Sequence, residues 1–214
     1  MLFDGLVADS FVKSQPQTRK RIAALISNIF NPFVIGMALV LLIALGSTVN
    51  LSDALKWLLL LAAINVLPIG LFMVYLVRRD RLDSLFANVR RQRTKLYVLA
   101  TVVFGVSCII LLFLDTPSIL MALFVATFTS NVIFMCINLR WKVSLHTAFI
   151  TCAVVILLVL YGFQSVAFIV SASLIPLIAW ARIELDHHSL PQVIAGALLS
   201  SSILVAVFYL FGLI

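Results

Sequence analysis

Long apolar runs, separated by short polar breaks, set the pattern of this chain. A helix that crosses the ~30 Å hydrocarbon core of a bilayer needs about 20 apolar residues, each rising ~1.5 Å. Seven segments approach that length: residues 31–49, 54–77, 96–114, 118–139, 144–162, 164–181 and 193–213. The fourth carries Thr127, Thr129, Ser130 and Asn131 inside its apolar run and is expected to face protein rather than lipid. The sixth is short and carries Pro176, which a bundle tolerates because its neighbours re-satisfy the freed backbone groups.

Ahead of the first span lies PQTRKRIAALISNIF, residues 16–30. Basic residues come first, then Ile22, Leu25, Ile26 and Ile29 at helical spacing. Two readings stay open: an interfacial helix on anionic lipid, or an extension of the first span. Residues 1–21 hold no long apolar stretch, and Arg19, Lys20 and Arg21 come at their end, so a retained first span is expected rather than a signal peptide. No repeat, low-complexity tract or linker divides the chain. The expected organisation is a cytosolic or interfacial segment, 1–30, followed by one transmembrane domain, 31–214.

Composition agrees with the pattern. Of 214 residues, 64% are hydrophobic and 11% charged, and the mean hydropathy is +1.21; soluble domains carry about 25% charged residues. The expected fold class is an all-α polytopic membrane protein with about seven transmembrane helices. Cys108, Cys136 and Cys152 lie within apolar runs at spacings that match no metal motif, and read as buried free thiols.

The net charge of +7 changes the picture only through its placement. Seven crossings put the termini on opposite sides. Of the 15 lysines and arginines, all but Lys56 fall on the side of the N-terminus, from Lys13 and Arg19 through the 78–95 loop to Arg140, Lys142 and Arg182. That asymmetry predicts a cytoplasmic N-terminus and an outside C-terminus, in a bacterial-type inner or plasma membrane. With no soluble basic domain, nucleic acid is excluded as a partner and membrane lipid is expected.

Three polar segments share that side: the 78–95 arginine loop, the turn before His146, and the turn holding His187 and His188. Two helices separate each from the next, and an even number of crossings returns the chain to one face. Histidine is the usual acid, base or nucleophile near neutral pH. Arginine offers a fork of donors that fits phosphate oxygens. Together they read as a phosphoryl-transfer site for a substrate whose tail lies in lipid.

The motifs resemble those of the type 2 phosphatidic acid phosphatase superfamily of membrane lipid phosphatases, over residues 78–214. That family carries Lys-x6-Arg-Pro, Pro-Ser-Gly-His and Ser-Arg-x5-His-x3-Asp. Here Arg182, His188 and Gln192 stand in the register of the third, with Gln192 at the aspartate position. WKVSLHTAF supplies Ser144 and His146 for the second, with Leu145 at the glycine position. RRQRTKLY supplies Arg93 for the first, with Thr94 for the proline and Phe86 where the lysine is expected.

The resemblance implies a helical-bundle core and a metal-independent phosphatase without cofactor, working through a phosphohistidine. By position, His188 is the nucleophile and His146 the acid for the leaving alkoxide, while Arg93, Arg182 and Ser144 hold the phosphoryl oxygens. Gln192 accepts a hydrogen bond from the imidazole but cannot neutralise an imidazolium. Glu184 or Asp186 would supply a carboxylate from the same turn. Lys142 is a further phosphate-binding cation, and Arg90, Arg91 or Lys95 would replace the missing lysine. The implied substrate is an isoprenoid, polyprenyl or glycerolipid phosphate or diphosphate. Two other readings stand beside this one: a non-catalytic relative that binds or translocates lipid phosphates, and a structural subunit.

Overall fold

The computed structural model describes residues 17–81 and 90–214. Lys13, Phe86 and the middle of the 78–95 loop lie outside the described residues. Among the described residues nine α-helices follow in order: α1 (17–29), α2 (Pro32–Ser47), α3 (Leu51–Leu61), α4 (Leu67–Arg78), α5 (Arg90–Leu112), α6 (Ser118–Asn138), α7 (Leu145–Tyr161), α8 (Val166–Glu184) and α9 (Leu190–Leu210).

Two junctions are hidden in the apolar pattern. A π-helical turn, Ala62–Val66, joins α3 to α4 within a single span, Leu51–Arg78. α1 leads straight into α2, so residues 17–47 form one apolar helical run with a break near its middle. Pro32 has no N–H to carry the ladder onward, and Asn31 caps the restart by accepting the Val34 N–H at 3.1 Å. Residues 17–29 are thus a helix of their own, ending just before the Asn31–Pro32 break that opens the first span.

Six of these runs are long and apolar enough to cross a membrane, and α7, at 17 residues, is shorter. The outward faces suit lipid: Val98, Val102, Val106 and Ile109 form an exposed stripe along α5. In water such a stripe is an aggregation surface; in a bilayer it costs nothing. The protein is an all-α, multi-pass membrane protein. α6 packs between α5 and α9, and none of its four central polar residues is exposed. Asn131, for one, donates to the Tyr97 carbonyl and the Thr101 hydroxyl.

The short α7 is the hub, packed against α9, α8 and α2. Gly196 makes the tightest of these contacts possible. A Cβ at that position would stand 2.5 Å from the Ser144 carbonyl oxygen and 2.6 Å from Thr147 Oγ1. The Ser144 N–H also donates to the Gln192 carbonyl at 3.2 Å. The start of α9 is thereby locked against the start of α7, which holds the two histidine-bearing turns side by side.

Candidate functional site

The polar turns meet at the end of the bundle where α1 begins. α8 ends because Asp186 adopts a left-handed conformation, φ 57°, which Asp tolerates better than most side chains. The chain then folds back, and the N–H groups of His187 and His188 both donate to the Arg182 carbonyl at 3.2 Å. This turn sets the His188 ring beside the last turn of α8. Lys142 closes the neighbouring turn by donating to the His187 carbonyl at 3.2 Å.

Four of the expected site residues line one cavity: Arg93 from α5, His146 from α7, Arg182 from α8 and His188 from the α8–α9 turn. All four are buried. The remainder of the cavity is largely apolar and extends into the bundle along α2, α4, α5, α6, α7 and α9.

The orientation of His188 follows from its neighbours. Its Nδ1 lies 3.0 Å from Gln192 Oε1, and the Ser189 N–H donates to the same oxygen at 3.3 Å. The Ser189 N–H identifies that atom as the carbonyl oxygen of the amide, which only accepts. Nδ1 therefore carries the proton, and Nε2 keeps its lone pair. Burial pushes the His188 imidazole down to about 3; the positive charges of Arg93 and Arg182 and, last, Lys142 act in the same direction, against the upward pull of the Gln192 bond. The ring is neutral at physiological pH, with an available lone pair, in a cationic surrounding.

Arg182 is 1% exposed. One of its terminal nitrogens donates to Ser27 Oγ at 2.7 Å, and its Nε has no hydrogen-bond partner among the described residues. Its salient charged neighbour is another cation, Arg93. Arg93 itself donates to the Val143 carbonyl at 3.4 Å. Burial of the Arg182 guanidinium carries a desolvation cost of several kcal/mol that a bound anion would offset.

Sequence reasoning missed Ser27. It sits on α1 between Arg182 and His146, whose Nε2 lies 3.2 Å from the Ser27 carbonyl and 3.3 Å from its hydroxyl. A carbonyl only accepts, so Nε2 carries the proton here. The available signal is the pair Ala23 and Ser27, small residues four apart that both face inward, whereas Ile22, Leu25 and Ile29 face out.

Other expected site residues lie off the cavity wall. Ser144 is fully buried and its hydroxyl caps α7 by accepting the Thr147 N–H, off the cavity wall, so it is a helix cap here. Arg90 caps the C-terminal end of α6: its guanidinium donates to the Asn138 carbonyl at 2.8 Å and to the Leu139 carbonyl, not into the cavity. Glu184 pairs with Arg19 at 2.8 Å and Asp186 with Lys20 at 3.0 Å, so both carboxylates are held by α1 rather than by His188. Lys142 lies beside the site without lining the cavity. Compared with known protein families, with curated proteins and with solved structures, the chain matches none of them.

Proposed function

We propose that the protein is a membrane-embedded phosphatase of lipid phosphates or diphosphates that works through a phosphohistidine. The observation that carries this reading is the convergence of Arg93, His146, Arg182 and His188, from four separate elements, at the polar end of an otherwise apolar cavity. An anionic headgroup offsets the buried Arg182 guanidinium while its tail stays among apolar side chains. The His188 Nε2 lone pair attacks phosphorus in line, forming an N–P bond as the P–O bond to the lipid breaks. Arg93 and Arg182 bear the charge on the non-bridging oxygens, the kind of stabilisation that contributes most in phosphoryl transfer. His146, which takes up a second proton when the anionic headgroup binds, gives its Nε2 proton to the departing oxygen once its contact with Ser27 has given way, and recovers a proton from the water of the next step. Water then cleaves the N–P bond, returning neutral His188 and releasing inorganic phosphate.

One observation favours a second reading, a binder or translocator of lipid phosphates. His188 leans on an amide rather than a carboxylate, and both acidic residues of its turn are engaged by α1. A comparable carboxylate-to-amide exchange in a serine protease costs about 10⁴ in rate, although papain-like sites work with an amide. His188→Ala separates the two readings. In a phosphatase it abolishes phosphate release and leaves lipid binding. In a binder it leaves the full function intact, whereas Arg182→Ala removes it.

The charge pattern supports a cytoplasmic site face. Arg19, Lys20, Arg21 and Arg140 lie on it without lining the cavity, so their bias toward this side is independent of phosphate binding.

A further inference from the structure

The cavity has a measurable shape. Its volume is about 260 Å³. Along α5 it is lined from Arg93 to Phe104, which at ~1.5 Å per residue is a depth of roughly 16 Å, about half the hydrocarbon core. Leu61, Leu123 and Leu204 line it further in, with Phe104 and Phe124, whose rings stand 6.2 Å apart at 59°.

The other end suits an anion. Arg182 Nε is buried and has no partner among the described residues. The same holds for the Tyr97 hydroxyl, one helical turn below Arg93 on the same face and also on the cavity wall. A lipid phosphate places its non-bridging oxygens near the guanidiniums and its bridging oxygen at the junction of head and tail. The Tyr97 hydroxyl is a buried donor on the cavity wall available to that oxygen.

We propose that this cavity takes a single lipid chain and measures its length. The proposal rests on the lipid-phosphate reading of the site and names its substrate class: a phosphate or diphosphate on one chain. A cavity of this volume holds a stretch of chain on the order of ten carbons. Spread over a depth of roughly 16 Å, that volume suits one chain rather than two. α2 and α4 both line the cavity, and no packing comparable to that of α2 on α3 joins them among the described residues. A second chain would lie outside this wall, in lipid. Selection works by exclusion from above, because a chain in lipid gains little hydrophobic free energy by entering a protein cavity. A chain that outgrows the floor must bend or displace the phenylalanines.

The test uses purified protein in detergent and single-chain lipid phosphates of about six, ten, fourteen and eighteen carbons, in an acyl-glycerol series and a prenyl series. Phosphate release is read on the unaltered protein. Binding is read on His188→Ala by displacement of a fluorescent ten-carbon alkyl phosphate. The expected result is a loss of about tenfold once the chain exceeds the cavity, the size of an overpacking penalty. Ala100→Leu, on the cavity wall about 10 Å below Arg93, should move the cut-off to shorter chains, and Phe104→Ala should move it to longer ones. The series that binds more tightly identifies the chain as acyl or prenyl. Equal handling of all lengths, or a cut-off that neither variant moves, overturns the proposal. A cut-off in binding with no phosphate released from any lipid supports the length measurement and refutes the phosphatase reading. Release without a cut-off does the reverse.

Discussion

At the residue scale the account turns on His188 and the amide that holds it. Gln192 reaches Nδ1 from four residues along with a two-methylene side chain, so glutamate at this position is the isosteric carboxylate and aspartate falls short. Gln192→Glu should raise the His188 pKa from about 3, because a carboxylate favours the imidazolium. Turnover should rise, and the acid limb of the pH–rate profile should move to higher pH. An unchanged profile would mean that this bond does not tune the nucleophile. The depressed pKa also bears on stability. An unfolded histidine titrates near 6.5, so the unfolded chain takes up a proton below that pH while the folded one stays neutral to about 3. The stability this site contributes is complete above pH 6.5 and is lost as pH falls toward 3. The melting temperature in detergent should drop between pH 7 and 4, and His188→Gln should flatten that slope. Arg93, His146, Arg182 and His188 are legible in the sequence because charged and imidazole side chains stand out against apolar spans, and the parity of crossings puts them on one face. Ser27 is not, because its partners lie 119 and 155 residues away and a lone serine in an apolar helix looks like a packing residue. Ser144 and Arg90 cap helix ends here, which the sequence does not show for a related reason: a hydroxyl or guanidinium near a helix end serves the end of the helix as readily as a ligand.

At the scale of elements, the α7–α9 contact carries the site. Gly196→Ala drives a methyl group into the Ser144 carbonyl, backbone that cannot rotate away. The expected cost is about 1–3 kcal/mol, read as a lower melting temperature. Because α9 begins just after His188, phosphate release should fall with it even at temperatures where the protein remains folded. Gly70→Ala, the same change inside α4 where an added Cβ meets nothing within 4 Å, is the control for helix propensity alone. The spans themselves are readable from apolar length, but their internal joints are not. Ala62–Val66 is as apolar as its surroundings apart from Asn65, whose amide is satisfied inside the bundle by the Leu61 carbonyl and the Ser107 hydroxyl. Nothing in its hydropathy marks the extra residue of a π turn. The break before α2 carries a better signal, Asn31 followed by Pro32, a cap and an N1 proline.

At the scale of the whole molecule, the bundle has one polar end and one plain end. Arg19, Lys20, Arg140 and Lys142 mark the first, and the exposed Lys56–Asp53 pair at 2.8 Å marks the second. With Cys108, Cys136 and Cys152 replaced by alanine, a single cysteine at position 21 should resist a membrane-impermeant maleimide in intact cells, and one at position 56 should react. The opposite pattern would place the site outside. The central claim is that the converged histidines and arginines perform phosphoryl transfer. The most direct measurement is phosphate release from a panel of lipid phosphates and diphosphates by purified protein in detergent with EDTA, beside His188→Ala. Release that survives the chelator and vanishes in the variant, with binding retained, is the expected result. No release from any lipid, or release that persists without His188, would contradict it.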